Sequence, residues 1–231
     1  MYKRLIRIFI LTTLSIVGIL GIIITAKSTD FMGGSVIFNY FTVQSNIFMI
    51  LMALITLCNE LSVLIFKKSF MNQIILYAKF MAMIAVTLTF IVFFTMLAPL
   101  VGISYLLSFS NYSLHAIVPI LSIVDFIIFD TDIHLTYPKS LLGTAIPLYY
   151  VFFVYIGVPL NFRYGENIKF PYFFLDYETN GFLFEKGLGV IFWIIVLFIG
   201  VSAFCVLYCF IIKRRQKSVQ KKQTNQESKK F

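Results

Sequence analysis

Six long apolar segments follow one another along this chain, and only short polar connections separate them. A helix needs about 17 to 25 mostly apolar residues to cross the hydrocarbon core of a bilayer, so each segment is long enough to be a membrane-spanning helix. The sequence therefore predicts an all-α membrane protein, a bundle of six transmembrane helices within residues 1–212. The six segments cover residues 5–26, 41–66, 74–98, 113–129, 141–160 and 188–212.

Composition agrees with lipid as the solvent of this chain, because 60% of its residues are hydrophobic and only 13% are charged. A soluble domain is about half apolar and about a quarter charged. The net charge is +9, and residues 213–231 hold eight of the 19 lysines and arginines. A basic flank of this kind is typical of the cytoplasmic side of a last span, so nucleic acid is a poor candidate partner. The polar composition of residues 213–231 predicts a disordered basic cytoplasmic tail.

The distribution of lysine and arginine also predicts the orientation, because cytoplasmic connections carry the excess of these residues. With the amino terminus inside, the inner stretches hold 14 of them and the outer loops hold four. We therefore expect a multi-pass protein of the cell membrane with both termini in the cytoplasm. A cleaved signal peptide is the other interpretation of the basic start. The apolar run of residues 5–26 is longer than a usual signal core of about 7–15 residues, which favours an uncleaved span.

Polar side chains inside membrane spans are costly, and they therefore mark candidate functional sites. The second span begins with Thr42, Ser45 and Asn46, whose i, i+3, i+4 spacing places them on one helix face. That face should point into the bundle. One interpretation is that these groups only hold helices together, at about 0.6 kcal/mol for each hydrogen bond. The other is that they form a functional site.

His115 lies near the outer start of the fourth span. An imidazole in an apolar span is costly to charge, and the neutral form is the one that a general base needs. Under the predicted topology the second and fourth spans both start at the outer surface, so Thr42 and His115 lie at similar depth. A hydroxyl and an imidazole at one level can act as a nucleophile and its base. The alternative for His115 is a packed histidine that bonds a backbone carbonyl.

Other ionisable residues fit structural roles better. Asp125 lies ten residues beyond the histidine of the fourth span, about 15 Å along a helix, which is too far to orient the imidazole. We expect Asp125 to pair within the bundle with Lys79 of the third span. Asp130, Asp132 and His134 follow in an inner loop, and we expect a solvated turn rather than a metal site there.

The sequence carries no signature of a metal or cofactor. Cys205 and Cys209 are four residues apart on one helix face, but a closed zinc site needs about four ligands, so packing is the better interpretation. The sequence has no Gly-x-Ser-x-Gly elbow, no His-Glu-x-x-His, no phosphate-binding glycine loop and no dinucleotide fingerprint. We therefore expect no metal and no organic cofactor.

The longest predicted outer loop joins the fifth and sixth spans, and residues 170–176 at its centre read FPYFFLD. A loop in water would not normally carry this aromatic run, so we expect it to lie in the membrane interface or to cap the bundle. An aromatic belt segment and a lid over a lipid-binding cavity are both consistent with it.

Three motifs in this chain match a known family in order and spacing. They are the Phe41-Thr42 start of the second span, the His115-x-x-x-Pro119 start of the fourth, and the P-Y-x-F-L-D sequence of residues 171–176. With these motifs the chain resembles the androgen-induced-gene and androgen-dependent TFPI-regulating protein family, and more closely its bacterial six-pass relatives. The resemblance covers most of the chain.

The resemblance implies an activity as well as a fold. Animal members of the family are intramembrane threonine hydrolases that cleave esters of hydroxylated fatty acids, with a threonine nucleophile and a histidine base. Matched by motif, these roles fall on Thr42 and His115. The residues expected to bind substrate or oxyanion are Ser45, Asn46, Pro119, Tyr172 and Asp176. The second-span sequence TVQSN is the bacterial form and is more polar than the animal one, so the substrate can differ.

The sequence thus supports two functions of different classes. The first is hydrolysis of a lipid ester that enters sideways from the outer leaflet, with membrane lipids or fatty-acid esters as partners. The second is a non-catalytic lipid-binding or small-solute transport protein that uses the same polar pocket. A scaffold for another membrane protein is a third function, but the chain has no long small-x-x-x-small face to favour it.

Overall fold

The computed structural model describes residues 2–28 and 34–227, apart from the side chains of residues 104, 105 and 222–227. Within these residues, six helical segments are long and apolar enough to cross a membrane. They are α1 (Tyr2–Lys27), α2 (Phe41–Phe66), α3 (Gln73–Leu100), α4 (Phe109–Phe129), α5 (Tyr137–Gly157) and α6 (Val190–Lys221). The predicted all-α bundle of six membrane-spanning helices is confirmed.

The observed helices lie close to the predicted spans, and α6 shows the largest difference. Its helix continues to Glu227, whereas composition predicted disorder over residues 213–231. A tertiary contact fixes the first turn of this extension, because Gln216 Nε2 donates to the backbone oxygens of Thr131 and Ile133 at 2.7 and 2.9 Å. The last four residues of the chain lie outside the described residues.

Helices α3 and α4 each widen by one π-helical turn. These turns are Phe93–Leu97 and Ser113–Ile117, and each is followed by a proline at the same offset, Pro99 or Pro119. A proline lacks the N–H that an α-helix needs, and its ring clashes with the carbonyl four residues earlier. The wider π turn gives the ring room but does not replace the missing N–H, and such turns often lie at functional sites.

Helix α1 packs closely against α2 and α4 because two of its residues lack side chains. A Cβ atom at Gly18 would lie 2.7 Å from Ile50 Cδ1 of α2, and one at Gly21 would collide with Ser113 in the π turn of α4. A close approach of this kind favours glycine and other small residues between membrane helices. The packing of α1 therefore holds the π turn of α4 in place.

The end of the bundle where α1 starts and α6 finishes is the terminal end, and the opposite end, where α2 and α4 start, is the far end. At the terminal end a network of five buried charges joins the four helices α1, α2, α3 and α4. Its members are Arg7, Glu60, Lys79, Asp125 and Asp130. Arg7 bonds all three carboxylates, with Nη1 3.1 Å from Glu60 Oε1 and Nε 3.2 Å from Asp125 Oδ1. Lys79 pairs with both aspartates, and its Nζ lies 2.6 Å from Asp130 Oδ2.

This network tests two predictions. The expected Lys79–Asp125 pair is confirmed. The prediction that Asp130 lies in a solvated turn is wrong, because this side chain is only 2% exposed and is paired with two cations. The other two residues of that turn, Asp132 and His134, are exposed.

Candidate functional site

The far end of the bundle brings a threonine and a histidine of different helices into contact. Thr42 is the second residue of α2, whose helix cap is Tyr40, and His115 lies in the π turn of α4. The distance from Thr42 Oγ1 to His115 Nε2 is 3.1 Å, which is within hydrogen-bond reach. The two residues are 73 positions apart in the sequence, so the fold, and not local structure, makes this pair.

A second hydrogen bond orients the imidazole. His115 Nδ1 lies 3.1 Å from the backbone oxygen of Asn111, one helical turn earlier. Because a carbonyl can only accept, Nδ1 carries the proton, and Nε2 is left with the lone pair that accepts the Thr42 hydroxyl. This is the tautomer that a general base needs. The Asn111 contact also matches the alternative prediction of a histidine bonded to a backbone carbonyl.

An aromatic ring covers one face of the imidazole. Phe93, in the π turn of α3, stacks on His115 with ring centroids 3.9 Å apart and planes inclined by 26°. His115 is only 9% exposed. The π turns of α3 and α4 thus meet at this stacked pair, and a rigid ring restricts the rotation of the imidazole.

The two polar neighbours of Thr42 on α2 support it from behind. Ser45 Oγ donates to the Thr42 backbone oxygen at 3.1 Å and lies 2.9 Å from Thr89 Oγ1 of α3. Asn46 Nδ2 donates to the Thr42 oxygen at 2.7 Å and to the Leu114 oxygen of α4 at 3.0 Å. Ser45 and Asn46 are fully buried, and neither lines the cavity described next. The structure places them as supports of the site rather than on its wall.

An apolar cavity lies beside the Thr42 side chain. Helices α3, α5 and α6 form most of its wall, which also includes Thr42, and the α3 residues include Thr89 and Phe93. Leu148 of α5 and Phe198 of α6 line the cavity and are also exposed on the lateral surface of the bundle, at 36% and 44%. The cavity therefore opens sideways, toward the space that lipid occupies around a membrane protein.

The aromatic loop of residues 170–176 lies at the far end of the bundle and closes this cavity there. Tyr172, Phe174 and Leu175 line the cavity. The Tyr155 hydroxyl of α5 donates to the Leu175 backbone oxygen at 3.0 Å, which ties the loop to the bundle. Phe173 packs edge-on against Trp193 of α6. The loop therefore covers a cavity, as one of the two expectations for it had it.

Two other predicted substrate-binding residues have structural positions instead. Asp176 caps the short helix Tyr177–Asn180, and its carboxylate accepts from the backbone N–H groups of Glu178 and Thr179 at 2.9 and 3.1 Å. Pro119 is buried in α4, and it is not among the cavity-lining residues. Tyr172 is the one residue of the predicted substrate-binding set that lies on the cavity wall.

Sequence reasoning missed several residues of the site. Phe93 and Thr89 lie inside a long apolar span, where a phenylalanine is ordinary and a threonine carries little signal. Tyr150 bonds the Asn39 backbone oxygen at 2.8 Å and lines the cavity, and Tyr164 is packed against Tyr40 just outside it. Burial raises the pKa of the Tyr164 phenol, so this group stays protonated near neutral pH.

The described residues include no group of three or more His, Cys, Asp or Glu side chains placed to hold a metal ion. What the site contains is a hydroxyl, an oriented imidazole and an apolar cavity. A hydroxyl in contact with the lone pair of an imidazole is the arrangement of nucleophile and base in covalent catalysis. Comparison with protein-family models, with curated proteins and with solved structures found no match to this chain.

Proposed function

We propose that this protein is a membrane-embedded hydrolase of lipid esters, with Thr42 as the nucleophile and His115 as its base. The observation that carries the proposal is the 3.1 Å contact between Thr42 Oγ1 and His115 Nε2, beside an apolar cavity whose wall includes Thr42. The resemblance to the androgen-induced-gene family supports it independently, because its motifs select the same two residues. Metal and cofactor are not required by this chemistry.

The reaction follows from the hydrogen-bond directions. Thr42 Oγ1 attacks the acyl carbonyl while His115 Nε2 takes the hydroxyl proton, and the imidazolium then returns that proton to the leaving alcohol. Water, with His115 as base, hydrolyses the acyl-threonine and restores the site. Thr42 lies in the first turn of α2, where the positive end of the helix dipole favours an oxyanion.

The cavity accounts for the substrate class. Its wall is apolar apart from a few hydroxyl groups, which suits an acyl chain and disfavours a charged ligand. Its lateral mouth between Leu148 and Phe198 would admit a lipid directly from the membrane. The predicted orientation, with both termini in the cytoplasm of a cell, makes this the outer leaflet. Accessibility of the tail and of the aromatic loop to a protease in sealed vesicles tests that orientation.

A fluorophosphonate probe tests the proposed activity. We expect wild-type protein in detergent to be labelled, and Thr42→Ala and His115→Ala to lose the label. Thr89→Ala is the matched control, because Thr89 also lines the cavity but its hydroxyl bonds Ser45 and the Ala85 backbone. Equal labelling of all four proteins would contradict the proposal.

The alternative function is non-catalytic lipid binding or transport of a small solute. It is favoured by one observation, since the partner of His115 Nδ1 is a backbone carbonyl and not a carboxylate that would stabilise an imidazolium. A binding protein would take up fatty acid without turnover, and Thr42→Val would bind it as well as wild type. Hydrolysis of a lipid ester that disappears in Thr42→Val would exclude this alternative.

A further inference from the structure

The Leu114 carbonyl, next to His115, lacks its usual partner inside the helix. In a regular α-helix it would accept from the Val118 N–H, four residues on. The π turn directs that N–H to the Ser113 oxygen instead. With π spacing the next donor for Leu114 would be residue 119, and residue 119 is a proline without an N–H.

The partner comes from another helix. Asn46 Nδ2 of α2 donates to the Leu114 oxygen at 3.0 Å and to the Thr42 oxygen at 2.7 Å. Two carbonyls can only be served by the NH₂ side of the amide, so these contacts fix its orientation. Asn46 Oδ1 is buried and has no partner among the described residues. A buried acceptor without a partner costs free energy. The two hydrogen bonds that Asn46 donates offset this cost.

We propose that Asn46 and Pro119 form one positioning device for the proposed active site. Pro119 and the π turn free the Leu114 carbonyl, and the Asn46 amide uses that carbonyl to hold α4 against the first turn of α2. One bridge thereby joins the nucleophile's own backbone to the residue before the base. The catalytic consequence rests on the proposed function, whereas the coupling of Asn46 to Pro119 does not.

The device predicts that the two residues depend on each other. Asn46→Leu keeps the shape of the side chain but leaves the Leu114 carbonyl without a donor. Pro119→Ala supplies a new backbone N–H that can serve this carbonyl. We therefore expect the loss caused by Asn46→Leu to be smaller in the Pro119→Ala background than in wild type.

A double-mutant cycle tests this with two measurements on each variant: the unfolding temperature in detergent, and the rate of fluorophosphonate labelling of folded protein. We expect Asn46→Leu to slow labelling about tenfold in the wild-type background and less than about threefold with Pro119→Ala. The unfolding temperature should show the same partial rescue. Should the Leu variant fail to fold, Asn46→Ala completes the same cycle.

Two further measurements separate positioning from a general loss of stability. Ser15→Ala removes a buried hydroxyl of α1 whose bond among the described residues is to the Leu11 oxygen of the same helix, so its effect should be independent of Pro119→Ala. With a soluble chromogenic ester, Asn46→Leu should lower kcat and leave KM unchanged, because Asn46 does not line the cavity. Independent, additive effects of Asn46→Leu and Pro119→Ala on unfolding temperature would overturn the proposal. Absence of labelling in wild type would refute the proposed function, and the unfolding temperatures would still decide the coupling.

Discussion

The two ends of the bundle hold buried polar groups of opposite character. At the terminal end five charged side chains pair with one another beside a polar cavity whose lining includes Arg7, Glu60 and Asp130. At the far end the groups are uncharged, and the Thr42–His115 pair sits beside an apolar cavity. The charges satisfy each other and join four helices, whereas the Thr42 hydroxyl is placed where a ligand can reach it. Burial of a polar group alone therefore does not identify the functional site.

We expect the largest effect from a substitution in the charge network of the terminal end. Lys79→Met removes the cation that pairs with Asp125 and Asp130. Since loss of one partner leaves uncompensated buried charge, we expect the free energy of unfolding to fall by about 3–5 kcal/mol. Chemical denaturation in detergent measures this. If the terminal end serves stability alone, the Lys79→Met protein that remains folded is labelled by fluorophosphonate at the wild-type rate. A Lys79→Met protein as stable as wild type would show that the network is dispensable.

We expect the second largest effect from a substitution in the Thr42–His115 pair of the far end. His115→Gln keeps a polar side chain in the π turn but removes the base, and we expect labelling to slow by about 10²–10⁴-fold. The free energy of unfolding should change far less than in Lys79→Met, because only neutral hydrogen bonds are lost. The two variants thus separate activity from stability. A fall in the free energy of unfolding as large in His115→Gln as in Lys79→Met would refute this separation.

Much of this comparison was open to prediction from the sequence. Charge and hydropathy placed Thr42 and His115 at one depth, and they placed Asp125 near Lys79. They did not place Asp130, because a residue just past an apolar segment looks like part of a solvated loop, and only the approach of Arg7 and Lys79 buries it.

Tertiary contacts account for the other features that sequence reasoning missed. The stacking of Phe93 on His115 requires two π turns to meet, and hydropathy carries no information about which helix faces lie opposite each other. The Asn46 bridge to the Leu114 carbonyl has the same origin. Spacing along one helix identified Asn46 as a polar side chain that points inward, and its partner on α4 was fixed only by packing.

A smaller effect sharpens the role of the cavity. Leu148→Trp adds bulk at the lateral mouth between α5 and α6, and we expect long-chain ester probes to react several-fold more slowly. A short-chain probe should react at nearly the wild-type rate, since Thr42 itself is unchanged. The ratio of the two rates is the measurement. An equal effect on both probes would mean that substrate does not enter at this mouth.

The smallest effect is the control for the terminal end. Lys169 and Glu178 form an ion pair in the loop between α5 and α6, with about half of each side chain exposed. Lys169→Met should change the free energy of unfolding by less than about 1 kcal/mol, because water screens exposed pairs. A loss as large as that of Lys79→Met would show that burial is not what gives the network its strength.

The most direct test of the central claim is the site of covalent modification. After reaction with a fluorophosphonate, digestion and mass spectrometry should place the adduct on Thr42 Oγ1, the hydroxyl that lies 3.1 Å from His115 Nε2. The His115→Gln protein should give no such adduct under the same conditions. An adduct on Ser45, on Thr89 or on a tyrosine of the aromatic loop, with Thr42 unmodified, would contradict the account.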